Sequence, residues 1–404
     1  MNSKWFAPTI VGSAILGWLF ATVFGEVTWL DDLTRLLQAT FLSALKMIVA
    51  PLIFFSLISG VLQLRHAGSL GRLGGTTLAY YFSTSAIAIV IGLIVVFFIH
   101  PWTDSAPIQE MPSSEDITLI DASAAGFFPA LQNILVTLFS NPFAALAELN
   151  ILGILTAALL FGLAAAIALP KDSQLPRLLE DITQIVYRVA GWIITTLPIG
   201  LFAIAFQLTN KIDLDTFVSL LQFAGVVVGA TLVHGLVVLP LIVWLVGGMS
   251  PFRFLRQAYQ AMVTALVTSS SAATLPISLQ TAEEKLGVDR SKAAFVLPLG
   301  ATINMDGTAL FEGIAVIFLA YMFGIPLDGF TIFVVFIVAM LASAGAPGIP
   351  SGSMAGLQTV LLAVGIPLEA IALVLLIERP LDTVRTAVNV EGDLVGAVVI
   401  SRWS

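Results

Sequence analysis

An all-α polytopic membrane fold, with eight transmembrane helices and two re-entrant helical hairpins, follows from three features of the chain. Hydrophobic residues fill 58% of the 404 positions and charged residues only 10%, where a soluble domain carries about a quarter charged. Apolar stretches of about 20 residues, enough to cross a hydrocarbon core of about 30 Å, recur from end to end. A unit made of an interrupted hairpin and a polar helix occurs twice.

The first stretch, 6–25, has only Lys4 ahead of it and no small-residue cleavage pattern. It reads as a retained helix rather than a signal peptide. Further spans fall at 34–63, 75–101, 125–169, 177–208, 214–248, 290–323 and 366–400. The fourth is too long for one simple helix and is expected to be broken. Two more apolar stretches, 254–281 and 329–362, are rich in Ser, Gly and Pro. Lys4, Arg65 with Arg72, Lys171 with Arg177, and Arg253 with Arg256 fall on one side if each span crosses once. Asp31, Asp32, Asp104, Glu110, Glu115 and Asp116 fall on the other. The positive-inside rule makes the first side, with both termini, cytoplasmic. Lys285, Arg290 and Lys292 follow 254–281, so that stretch returns to the side it left.

The first repeat is a hairpin with Ser269, Ser270, Ser271 and Pro276, then a helix carrying Asn304, Met305, Asp306, Gly307 and Thr308. The second is a hairpin with Ser343, Gly345, Pro347, Gly348, Pro350 and Gly352, then a helix carrying Asp382, Arg385, Thr386, Asn389 and Asp393. Irregular backbone at membrane depth survives only where protein buries it or water reaches it. Small residues also let helices pack closely, but that does not explain the polar helix behind each hairpin.

At about 100° per residue, Arg385, Thr386, Asn389 and Asp393 lie within about 60° of Asp382, while Glu391 faces the opposite way. Intramembrane charge costs at least a few kcal/mol unless paired or hydrated, so the stripe does not face lipid. An internal salt-bridge network would satisfy it. So would an amino acid, since a guanidinium forks onto a carboxylate and a carboxylate takes an ammonium. Asp306 adds a third carboxylate, whose hard oxygen suits an alkali cation or a proton; zinc or copper would call for His or Cys.

Several classes drop out. The net charge of −8 gives no sign of nucleic-acid binding. No Gly-Lys dipeptide, hence no Walker A loop, supports an ATP-driven pump. No GxSxG elbow supports a serine hydrolase built on Ser269–Ser271 and His234. The chain has no cysteine, and its three histidines are scattered. His234 reads as a packed structural residue.

The runs LPLGATINMDGTAL (Leu297–Leu310), SSSAATLP (Ser269–Pro276) and DTVRTAVNVEGD (Asp382–Asp393) resemble the dicarboxylate/amino acid:cation symporter family. That family includes the excitatory amino acid transporters, and the resemblance covers essentially the whole chain. It implies inverted repeats, a homotrimer in the cell membrane, and an elevator in which a transport domain moves against a scaffold. On this chain the scaffold would comprise 1–70 and 104–210, and the transport domain 71–103 and 211–404. The implied function is sodium-coupled symport of aspartate or glutamate, with no enzymatic activity. Arg385 with Thr308 would bind the side-chain carboxylate, Asp382 the amino group, and Asn389 with Ser271 the α-carboxylate. Thr386, Ser270, Gly348 and Ile349 would complete that pocket. The resemblance implies one sodium at Gly300, Asn304, Asn389 and Asp393, and a second at Tyr81, Thr84, Ser85, Asn304 and Asp306. A third would lie at Thr302 and the backbone near Ser343, Ala344 and Ala346, with Met305 between sites. An additional arginine of the family is replaced by Ser269 and Thr383; Arg379, one turn before Asp382, is the candidate substitute. Pro347 and Ser353 also depart from the pattern. A proton-coupled carrier, a neutral amino acid or dicarboxylate carrier of the same family, and a channel remain as alternatives.

Overall fold

The computed structural model describes residues 3–66, 72–100, 102, 135–136, 138–170, 172–209, 214–346, 348 and 350–403. Lys171, Asp104, Glu110, Glu115, Asp116, positions 125–134 of the fourth expected span, and Pro347 and Ile349 of the second hairpin lie outside them. Every regular element among the described residues is helical.

The first three spans are α1 (Ser3–Phe24), α2 (Thr28–His66) and α3 (Arg72–Phe98). The fourth is broken, as expected: α4 (Pro142–Glu148) stops at Leu149 in a left-handed conformation, and the Asn150 side chain caps α5 (Ile151–Ala168). The fifth departs from a single span. It forms α6 (Leu175–Thr195) and α7 (Leu197–Thr209), set at 47°. Pro198 supplies the reason, because it has no N–H to continue the ladder and its ring crowds the preceding turn. α8 (Leu214–Leu245) stays continuous through Pro240. It does so by widening into a π-turn over His234–Val238 just before the proline, a form often found at functional sites.

α9 (Pro251–Thr268) and α10 (Ser271–Gln280) make the first hairpin, reversing at Ser269 with φ 49°. α11 (Arg290–Ile303) and α12 (Asp306–Met322) are separated by two non-helical residues, Asn304 and Met305. α13 (Gly329–Gly345) and α14 (Ser353–Ala363) make the second hairpin. The last expected span is split into a short 3-10 turn, α15 (Ile371–Leu375) and α16 (Glu378–Trp403).

By length and composition α2, α3, α5, α8 and the α11–α12 stretch can each cross a membrane, and the bent α6–α7 pair makes a sixth. The chain is thus an integral membrane protein with several apolar spans. α16 owes its place to packing rather than to apolar character. It is surrounded by α3, α8, α9, α11 and α12. Glu378, Asp382, Arg385, Asn389, Glu391 and Asp393 are all buried on it. α2 is the second hub, carrying α5, α6 and α7 along with both limbs of the second hairpin.

Candidate functional site

The first turns of α16 hold two guanidinium groups and two carboxylates. Arg379 Nη1 donates to Asp382 Oδ2 at 3.0 Å. Arg385 Nη2 donates to Glu378 Oε1 at 2.9 Å and to Asp382 Oδ1 at 3.4 Å. Its Cζ also lies 3.7 Å from the centroid of the Phe311 ring, a stacked cation–π arrangement. Glu378 stands four residues before Asp382 and seven before Arg385, on the same helix face. Its charge also suits the positive end of the helix dipole. Among the described residues, Arg385 Nε and Nη1 find no hydrogen-bond partner although they are buried.

The second hairpin descends onto this cluster. Ser351, left-handed at φ 59°, donates its N–H to Asp382 Oδ2 at 2.9 Å and its hydroxyl to Glu378 Oε2 at 2.9 Å. Ser353 Oγ donates to Glu378 Oε1 at 3.3 Å and accepts from Arg385 Nη2 at 2.9 Å. The two hairpin tips also touch. Ser270, the N-cap of α10, donates its hydroxyl to the Gly348 carbonyl at 2.7 Å, and Ala272 N–H reaches the same oxygen at 3.2 Å. Between the tips and α16 lies a cavity lined by Ser269, Ser271, Met305, Thr308, Ala346, Gly348, Ser353, Asp382, Thr386 and Asn389. Its volume is only about 10 Å³, room for about one water. Larger clefts of about 610 and 440 Å³ lie by α1 and α7 and by α2 and α6. Their walls are almost wholly apolar, so the small polar cavity is the better candidate for recognising a charged solute.

Deeper along α16 the α11–α12 interruption brings oxygen atoms together. Asn389 Oδ1 accepts from Gly307 N–H at 2.7 Å, while its Nδ2 faces Met305 Sδ and Thr308 Oγ1, each at 3.3 Å. Asn304 Nδ2 donates to Asp393 Oδ1 at 3.0 Å, and Thr84 Oγ1 donates to Asn304 Oδ1 at 3.3 Å. Ser85 Oγ donates to Asp306 Oδ1 at 2.7 Å. A β-carbon on Gly300 would collide with both Asp393 Oδ1 and Tyr81 Oη, so glycine is what permits this approach. Among the described residues no group of three or more His, Cys, Asp or Glu gathers as a transition-metal site. Oxygen donors of this kind suit a hard monovalent cation.

Most of the expected site residues therefore meet around α16. Three qualifications come from the structure. Tyr81 Oη donates to the Val296 carbonyl at 2.9 Å. Thr302 and Ser343 donate their hydroxyls within their own helices, at Leu299 O and Met340 O, and α11 packs against α13. Thr386 turns its hydroxyl back to Asp382 O at 2.8 Å.

Three residues of the site, Glu378, Phe311 and Ser351, carry no expectation from the sequence. Glu378 lay on the charged stripe at helical spacing, a signal that was there to read. Phe311 and Ser351 carried no such signal. His234 is fully buried, as its reading as a packed residue expects, and its Nε2 lies 3.2 Å from the equally buried Asp306 Oδ2. The π-turn that begins at His234 is the local feature accompanying that contact.

Several apolar spans around a buried, charge-balanced pocket closed by two hairpin tips define a membrane carrier. The chain belongs to the sodium:dicarboxylate symporter family, which it matches over residues 6–403. It is a transporter and not an enzyme. It is 34% identical over 405 residues to an excitatory amino acid transporter of Caenorhabditis elegans, covering 89% of this chain and 79% of the relative. Identity is 31% over 454 residues to excitatory amino acid transporter 3 of Mus musculus, covering 100% and 86%. With excitatory amino acid transporter 2 of Homo sapiens it is 35% over 417 residues, covering 89% and 71%.

Proposed function

We propose that the protein is a sodium-coupled symporter of acidic amino acids that alternates access by an elevator movement. The observation that carries this reading is Arg385, a buried guanidinium beside a carboxylate, with two donors unpartnered among the described residues. Those donors can bond a substrate carboxylate, and Asp382 suits the ammonium. In this reading Thr308 assists Arg385, and Asn389 and Ser271 hold the α-carboxylate, with Thr386, Ser270, Gly348 and Ile349 around them. Sodium ions are cargo, taken at Gly300, Asn304, Asn389 and Asp393, and at Tyr81, Thr84, Ser85, Asn304 and Asp306. A third would form at Thr302, Ser343, Ala344 and Ala346 with Met305 between. The scaffold would be 1–70 and 104–210, the moving part 71–103 and 211–404, and the assembly a homotrimer with cytoplasmic termini. The relatives' names support the substrate class, and the family's name supports the cation.

Uptake of radiolabelled aspartate into proteoliposomes, with sodium and proton gradients imposed separately, tests the reading. Uptake should follow the sodium gradient. Uptake driven by the proton gradient alone would replace sodium with a proton as the coupling ion.

A further inference from the structure

Glu378 is the centre of a polar clasp that the carrier reading does not use. It accepts from Ser351 Oγ, Ser353 Oγ and Arg385 Nη2, at 2.9, 3.3 and 2.9 Å. Asp382 completes the clasp by accepting from Ser351 N–H at 2.9 Å. The second tip is thereby tied to α16 from two carboxylates, through its backbone and two hydroxyls. With these bonds made, the cavity has room for about one water. No amino acid fits beneath the tip in that arrangement.

A symporter sustains net uptake only by returning without cargo. During that return the pocket crosses a medium in which an unpaired guanidinium costs several kcal/mol. Glu378 and Asp382 stand against Arg379 and Arg385, so each guanidinium of the clasp has a carboxylate partner. We propose that Glu378 is a positioning residue for the unloaded return: it neutralises Arg385 and draws the second tip shut through Ser351 and Ser353. A substrate ammonium at Asp382 competes with the Ser351 N–H, which releases one half of the clasp so that the tip can reseat over cargo. This rests on the carrier reading above.

The full chain in proteoliposomes with radiolabelled aspartate provides the test. Net uptake into vesicles without internal aspartate requires the unloaded return, whereas exchange against internal aspartate does not. Glu378→Gln should lower the ratio of net uptake to exchange by about tenfold, matching loss of about 1.4 kcal/mol of charge-assisted hydrogen bonding. Glu378→Asp should recover part of that ratio. Ser351→Ala combined with Ser353→Ala alters no charge and should lower the same ratio; it decides the matter if Glu378→Gln does not fold. A ratio unchanged in these variants, or net uptake and exchange falling together, overturns the proposal. Absence of exchange in the unaltered protein would refute the carrier reading itself, a separate outcome.

Discussion

Arg385 shows how one side chain can serve two partners. Its Nη2 is engaged by Glu378 and Ser353, its face by Phe311, and two donors are left over. If those donors hold a substrate carboxylate, Arg385→Thr should weaken aspartate binding by at least about 100-fold, the equivalent of two charge-assisted bonds of about 1.5 kcal/mol each. Serine or another neutral amino acid should gain affinity in the same variant. Calorimetry on purified protein would read both. Unchanged aspartate affinity would mean that the guanidinium serves Glu378 alone. At this scale much of the site was legible beforehand, since Asp382, Arg385, Asn389 and Asp393 announce a shared face by their spacing. The Arg379–Asp382 pair was only a candidate, because spacing cannot tell whether a long side chain folds along its own helix or reaches away from it.

At the scale of elements, the second hairpin depends on how its first limb begins. Asp328 caps α13, accepting from Thr331 N–H at 2.7 Å and Thr331 Oγ1 at 2.6 Å. The Thr331 hydroxyl first, and its N–H second, hold the Asp328 carboxyl below the ordinary aspartate range. A depressed carboxyl contributes stability above its unfolded value, about 3.9, and loses that contribution as pH falls through the lower folded value. Asp328→Ala should therefore destabilise the protein in detergent at neutral pH by about 0.5 kcal/mol, the low end for an N-cap because this one is exposed. The gap from the unaltered protein should close below about pH 4. A melting-temperature difference that persists undiminished at pH 3 would show that the cap's charge is irrelevant. Interruptions at 254–281 and 329–362 were readable from Ser, Gly and Pro. The α6–α7 bend was not read, because Pro198 sits inside an unbroken apolar run and hydropathy is blind to a missing N–H.

For the whole molecule, the elevator reading requires the second hairpin to slide past α2. The two meet closely: a β-carbon at Gly345 would lie 3.2 Å from Ser56 Oγ, within reach of a disulfide. The chain has no native cysteine to interfere. Oxidised Ser56→Cys/Gly345→Cys protein should bind aspartate yet transport none, and reduction should restore turnover. Full turnover with the disulfide quantitatively formed would mean that α2 and α13 move as one body.

Composition and period determined the membrane class, the two interrupted hairpins and the polar face of the last helix. These are local properties, carried by about 20-residue runs and a 3.6-residue repeat. Only the tertiary structure decided that His234 meets Asp306 across 72 positions and that Glu378 meets the hairpin serines. Glu391, opposite the charged stripe, is as deeply buried as the stripe itself, because helices surround α16 on all sides. Periodicity identifies a face but not what packs against it, and in lipid that packing, rather than escape from water, chooses the partner.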